Sequence, residues 1–138
     1  RKQFRQLMKM AELTKPSYNI IIQECIQDSL GKDLRVLVVN GKVVGCMMRQ
    51  SVDGDFRANI TRGGEAIPYQ VDEDIEWISG ECSRLLNLDI AGGDLLFDDG
   101  NYVICEVNSA PGFEGMEKFT KVNVAEKIVN YVVKKIGS

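Results

Sequence analysis

The sequence predicts an α+β domain built on an antiparallel sheet with flanking helices, and two observations carry that prediction. Asn40-Gly41 and Asp98-Asp99-Gly100-Asn101 are hairpin signals, each set between runs rich in strand-forming residues. Helical spacing of apolar residues is confined to segments outside these hairpins, and neither G-x-G-x-x-G nor G-x-x-x-x-G-K-[ST] occurs. A doubly wound parallel sheet is therefore disfavoured. At 138 residues the chain is long enough to bury a core of its own.

Taken in order, Phe4, Leu7, Met8 and Ala11 predict an amphipathic helix over residues 2–13, which Pro16 prevents from continuing. Residues 19–25 predict a strand and residues 26–32 a polar loop. Residues 33–39 and 42–49, joined by Asn40-Gly41, predict an antiparallel pair. Residues 51–70 mix glycine, asparagine and proline without period and predict a long loop, a length that usually signals function or disorder. A helix is expected from Asp72, with Glu73 and Asp74 at its positive end and Ile75, Ile78, Cys82, Leu85 and Leu86 on one face. Residues 88–97 and 102–107 predict the second hairpin, and residues 108–121 another loop. The last helix, from about Asn123, places Val124, Ile128, Val132 and Ile136 on one stripe before Gly137.

Composition narrows the chemistry. There is no histidine, which removes Ser-His-Asp and Cys-His nucleophilic sites and histidine-ligated zinc. Cys25, Cys46, Cys82 and Cys105 form no C-x-x-C, so buried free thiols are expected rather than a thiolate metal site or a disulfide scaffold. Net charge is -3, yet residues 53–117 hold 15 of the 20 acids and only Arg57, Arg62 and Arg84 as cations. That stretch is either cation-seeking or a solvated acidic face. No basic stripe with interleaved aromatics points to nucleic acid. No apolar run reaches the ~20 residues of a membrane span, and RKQFRQLMKM lacks the features of a signal peptide, so a cytoplasmic protein is expected.

Three constellations could carry chemistry. Glu106 and Asn108 are two apart on a strand and leave the same face. Asp94 joins them if paired residue numbers in the second hairpin sum to an even value, which a three-residue loop or a bulge around Gly100 would provide. Two carboxylates and an amide are hard oxygen donors, suited to magnesium or manganese; the alternative is a polar row facing solvent. Arg57, Asn59 and Arg62 in GDFRANITRGG could neutralise phosphate or a developing anion, or could pair with neighbouring acids. Arg35 and Arg49 have the same two readings. Finally, Gln23-Glu24-Cys25-Ile26, ending a strand, could offer backbone groups to a flat heterocycle, with Asp33 either accepting ribose hydroxyls or simply opening the next strand.

The order of motifs resembles a known family. QECI, then GKDLRVLVVNGKVVG, GDFRANITRGG, LDIAGGDLL and EVNSAPGFEGME, from about Ile20 to the end, resemble the RimK-type branch of the ATP-grasp ligases. That branch includes the ligase that adds glutamate to the C-terminus of a ribosomal protein. The resemblance implies the C-terminal part of an ATP-grasp fold and an ATP- and magnesium- (or manganese-) dependent carboxylate–amine ligase working through an acylphosphate, of the L-glutamate ligase kind. A non-catalytic nucleotide- or metal-binding module with the same core is the alternative.

By the same resemblance, Glu24, Cys25 and Ile26 are the adenine hinge and Asp33 lies near the ribose. Arg57 and Asn59 belong to the phosphate-side loop, with Arg57 in the catalytic role. Asp94, Glu106 and Asn108 are the metal ligands, and Ser109 to Gly115 flank the reacting carboxylate. Residues 1–18 are expected to be the end of the lid subdomain and residues 19–138 the C-terminal subdomain. The chain, opening on Arg1, is then a fragment expected to be inactive alone. Its partners would be an amino acid, glutamate by resemblance, and a carboxylate acceptor on a protein or small molecule. Faces that normally meet the other half could drive self-association.

Overall fold

The structure is a computed structural model that describes residues 4–5, 8–9, 21, 23–51 and 64–137. Five antiparallel strands, β1 (Lys32–Val39), β2 (Lys42–Gln50), β3 (Glu65–Pro68), β4 (Ile90–Asp98) and β5 (Asn101–Asn108), form one sheet in the order β3-β2-β1-β4-β5. Three helices accompany it: α1 (Glu73–Leu85), α2 (Glu114–Thr120) and α3 (Val124–Ile136). The expected α+β class with an antiparallel sheet is what the chain adopts.

Both hairpins form where the turn residues predict them. Asn40 and Gly41 have φ of 53° and 71°, and Asp99 and Gly100 have 49° and 78°, the left-handed pairs whose twist matches antiparallel strands. The pairing of β1 with β4, Leu34 to Val39 against Leu95 to Ile90, makes β1 the central strand. Alternation then sorts its residues. Leu34, Val36 and Val38 point to one face, where they join Cys46, Leu95, Ala91 and Ile75 of α1 in a core. Leu37 points to the other, packing with Met47, Ala66, Met116 of α2 and Val124 of α3. The sheet is covered on both faces.

α1 starts as its sequence indicates: the Asp72 carboxylate caps it, accepting from Ile75 N–H at 2.8 Å. It ends with Asn87 in the left-handed conformation, while the N–H groups of Asn87 and Leu88 bond to the carbonyls of Arg84 and Ser83. Its buried stripe, however, is Ile75, Ser79 and Ser83, and Leu85 and Leu86 are 67% and 56% exposed, contrary to expectation. The helix crosses the sheet so closely that a Cβ on Gly80 would sit 2.7 Å from the Gly41 carbonyl oxygen. No side chain fits this contact with the β1–β2 turn, and Leu85 and Leu86 lie beyond it. α3 departs likewise: Asn123 caps it through Glu126 N–H at 3.0 Å and Val124 is buried, but Val132 and Ile136 are 39% and 81% exposed. The stripe is real, but only its first turns meet the sheet.

Other differences are local. Among the described residues of the segment expected as a strand over 19–25, none is in a strand, and Gln27–Ser29 form a short 3-10 turn within the expected loop. The expected loop over 51–70 contains β3, and residues 52–63 lie outside the described residues. The loop expected over 108–121 contains α2, which lacks a side-chain cap and closes on Lys121 at φ 62°. Its helicity comes from docking Met116 beneath the sheet; a Cβ on Gly45 would stand 3.0 Å from the Met116 Cγ and Sδ atoms. Residues 4, 5, 8 and 9, the described part of the segment expected as a helix over 2–13, are helical.

Two stability tests follow from close approaches. A Cβ on Gly92 would fall 2.6 Å from Pro111 Cβ, whereas one on Gly93 meets nothing within 4 Å. In urea denaturation Gly92→Ala is expected to lose about 1–3 kcal/mol, and Gly93→Ala less than about 1 kcal/mol. Asp72→Ala removes the α1 cap and the acceptor of the Tyr102 hydroxyl, 2.8 Å away, and should cost about 1–2 kcal/mol in the same measurement.

Candidate nucleotide and metal site

Five side chains singled out in the sequence converge on one face of the sheet, beside the α2–α3 core. Asp94 on β4 pairs directly with Arg35 on β1 and with Glu106 on β5; Asp33 on β1 pairs directly with Arg49 on β2. A cavity of about 590 Å³ opens over these rows, lined by Asp33, Arg35, Arg49, Asp94, Cys105 and Glu106, by Lys32 and Leu96, and at its rim by the segment from Gln23 to Ile26. The expected hinge residues Glu24, Cys25 and Ile26 thus face the expected metal residues Asp94 and Glu106 across one space.

A β-bulge makes this possible. From Asp98↔Asn101 to Leu95↔Ile104 the paired numbers sum to an odd value, a register that would turn Glu106 away from Asp94. The shift between Asp94 and Leu95 leaves Cys105 as the extra residue and sets Asp94 opposite Glu106 and Gly92 opposite Asn108. The bulge expected around Gly100 sits five residues later, at Cys105, and the turn itself is a regular two-residue one. Apolar pattern explains its place. Tyr102 and Ile104 pack on the α1 core, and so does Val107; one residue must be skipped for all three to do so while Glu106 faces the cavity.

The electrostatics are concentrated. Arg49 donates two hydrogen bonds of 2.6 Å to Asp33, one from Nε and one from Nη2. The same Nη2 lies 3.0 Å from Asp94 Oδ2, and Arg35 Nη2 donates to that oxygen at 2.9 Å. Arg35 Nε and Asp94 Oδ1 stand 2.5 Å apart as an ion pair but out of line for a hydrogen bond; both atoms are buried and neither has another partner among the described residues. These four side chains are only 14–19% exposed. Burial pushes the Asp33 carboxyl above the ordinary value, against the pull of the Arg49 fork. Glu106 makes no ion pair or hydrogen bond among the described residues, and it is exposed. Of the two readings open for Arg35 and Arg49, the structure places both in intradomain ion pairs.

The rim is pinned through a residue the sequence reading passed over. Ser29, 7% exposed, accepts from Phe97 N–H at 2.6 Å and fixes the 3-10 turn after Ile26 against β4. Asp28 adds a contact to Asp99 N–H at 3.0 Å, and the Lys32 ammonium lies 5.0 Å from the centre of the Phe97 ring. The cysteines are free as expected, but only Cys46 is buried. Cys25 and Cys105 are exposed and line the cavity. Burial pushes the Cys46 thiol up to about 12; burial and the Asp94, Glu106 and Asp33 carboxylates raise Cys105.

The oxygen donors Asp94 and Glu106 are of the type that suits a hard divalent cation, and they would supply only part of its shell. Asp94 Oδ1 lacks a hydrogen bond and Glu106 lies in register across from it, while no group of three or more acids, cysteines or histidines gathers into a closed cage among the described residues. Asn108 shares the face, but its Oδ1 accepts from Ala110 N–H at 2.9 Å and it does not line the cavity. Arg57 and Asn59 lie outside the described residues. A second cavity, about 500 Å³ between the β1–β2 turn and α1, holds an Arg84–Glu81 ion pair within one helix and gathers none of the expected site residues.

The chain is similar to known proteins in sequence and in fold. The family model of the RimK-like ATP-grasp domain matches residues 1–132. A probable alpha-L-glutamate ligase of Legionella pneumophila (strain Corby) is 40% identical over 117 residues, which cover 85% of this chain and 39% of that protein. The chain thus spans about two fifths of the length of such relatives. Among solved structures, the ATP-grasp ligase PsnB, complexed with a phosphomimetic variant of minimal precursor, Mg and ADP, superposes with a TM-score of 0.66 at 20% identity, covering 83% of this chain and 34% of that one. D-alanine–D-alanine ligase from Bacillus anthracis complexed with ATP gives 0.62 at 16% identity, covering 94% and 45%. These two likenesses concern the fold, whereas the family model and the Legionella relative concern descent: the chain belongs to the RimK-like ATP-grasp family.

Proposed function

We propose that this chain supplies the nucleotide hinge and the metal carboxylates of an ATP-dependent carboxylate–amine ligase of the L-glutamate ligase kind. The observation that carries the reading is the direct cross-strand pairing of Asp94 with Glu106 in the cavity whose rim is the segment from Gln23 to Ile26. Family membership and the glutamate ligase relative support the reaction class. In that reading residues 19–138 are the subdomain that binds ATP and magnesium or manganese, and residues 1–18 end the lid subdomain. The free cysteines and the need for ATP fit a cytoplasmic setting.

Each group has a task that suits a chain without histidine. The Glu24, Cys25 and Ile26 backbone presents hydrogen-bonding groups to the adenine, and Asp33, already oriented by Arg49, accepts the ribose hydroxyls. Asp94, Glu106 and Asn108 would hold the cation, whose role when bound is to neutralise phosphate charge. To Arg57 and Asn59, which lie outside the described residues, the family resemblance assigns the task of offsetting charge on the transferring phosphoryl group. The γ-phosphoryl passes from ATP to a substrate carboxylate, releasing ADP. The amine of the second substrate then attacks the acyl carbon and phosphate leaves, so an amide bond forms with no protein nucleophile. This is chiefly positioning and charge neutralisation, which carboxylates and arginines can deliver. The substrates proposed are glutamate and a carboxylate on a protein or small molecule.

Two measurements on the full natural polypeptide test this. A non-hydrolysable ATP analogue with magnesium should bind wild type and lose about tenfold or more in affinity in Asp94→Ala; an affinity independent of both magnesium and Asp94 sinks the assignment. Thiol labelling at neutral pH, read by peptide mass spectrometry, should modify Cys25 fastest and Cys105 more slowly, and should spare Cys46. The analogue should protect Cys25 and Cys105 while leaving the rate at Cys82, outside the cavity, unchanged.

A further inference from the structure

Asp94 has more positive charge packed around it than an open metal ligand should. Both of its oxygens face Arg35, at 2.5 and 2.9 Å, and Arg49 reaches Oδ2 at 3.0 Å. The three acids Asp33, Asp94 and Glu106 against the two guanidinium groups leave the cluster one negative charge in balance. A divalent cation placed there alone would meet two cations, little screened at this burial, and a carboxylate already gripped from both sides. A nucleotide triphosphate changes the balance, because its oxygens bring negative charge and are bidentate acceptors that match a guanidinium fork.

On the reading that Asp94 and Glu106 hold the cation, we propose that Arg35 is a positioning residue that occupies Asp94 in the nucleotide-free protein and exchanges it for phosphate oxygens when ATP arrives. Arg49 is the fixed member of the pair. Its two 2.6 Å bonds to Asp33 hold it on β1 whatever Asp94 does, whereas the ion-pair partner of Arg35 among the described residues is Asp94 alone. Metal uptake is thereby made conditional on nucleotide. The cation does not settle in an empty site, and Asp94 stays oriented toward Glu106 instead of relaxing toward solvent. No covalent bond changes; one anion replaces another on a guanidinium.

The test is the affinity for Mn2+ alone, without nucleotide, followed through the electron paramagnetic resonance of the free ion in the full natural polypeptide. Arg35→Gln should bind Mn2+ about tenfold tighter than wild type, since a unit charge beside a dication is removed. The gain should vanish in Arg35→Gln combined with Asp94→Ala. Arg35→Lys, which keeps the charge but not the fork, should fall between. A damaged fold can only weaken binding, so a gain reports the hold of Arg35 on Asp94 and not a change in the fold. If Arg35→Gln binds Mn2+ no tighter than wild type, the exchange is overturned. If in that case an ATP analogue still brings Mn2+ to wild type through Asp94, the nucleotide and metal reading stands by itself; if the analogue brings no Mn2+ to either protein, both fall.

Discussion

The pairing of β1 with β4 is the constraint on which the rest of the molecule depends. It joins two sequence-local hairpins into one sheet, and by its register it decides which residues share a face. With Leu34 set against Leu95, the even-numbered residues of β1 and odd-numbered residues of β4 enter the α1 core. The opposite parity divides in two. Toward the start of β1 it carries Asp33 and Arg35; further along, Leu37 meets the α2–α3 core. The polar site and a hydrophobic core therefore lie side by side on one continuous surface. That neighbourhood accounts for the low exposure of the charges and for the strength with which they must pair.

Because its acidic members stand on strands, the site is rigid where it is most charged. Asp33, Asp94 and Glu106 are fixed by ladder hydrogen bonds in adjacent strands, and the loop-borne component, the rim before the 3-10 turn, is tied to the same sheet through Ser29. A constellation proposed to hold a small cation gains from such placement, since strand positions hold their geometry more closely than loop positions do. The bulge at Cys105 has the same effect by another route. It spends one residue to let β5 serve two masters, giving Tyr102, Ile104 and Val107 to the α1 core and Glu106 to the cavity. Gly92, opposite Asn108, keeps the space for Pro111 and so lets the chain leaving β5 fold back against the sheet.

Much of the architecture was legible in short windows. Both turns need two residues at positive φ, and Asn-Gly and Asp-Gly announce that need wherever they stand between strand formers. Asp72 and Asn123 announce helix starts because a short acceptor side chain can satisfy an N–H two or three residues ahead. What failed was reasoning from a stripe to its burial. The buried stripe of α1 runs through Ile75, Ser79 and Ser83, which leaves Leu85 off its face and Leu86 past the helix end, and Val132 and Ile136 of α3 are exposed where only Val124 is fully covered. α2 was illegible for the complementary reason. Its seven residues carry two glutamates and a glycine, and they are helical because Met116 has a slot above Gly45 to fill.

The candidate site divides along the same line. The sequence by itself determined the chemistry: no histidine, an acid-rich middle, and Asp94, Glu106 and Asn108 in strands as hard oxygen donors, in a motif order that identified the family. Only the tertiary structure decided the geometry. That Asp94 lies between Arg35 and Glu106, that Arg49 bridges Asp33 and Asp94, and that Cys105 is the residue skipped are consequences of register between strands up to about sixty residues apart in the chain. Residue types and local spacing follow from the covalent chain, but cross-strand partners follow from which strands meet and at what offset. That offset is set by packing over the whole sheet, where one residue's slip turns every side chain to the other face.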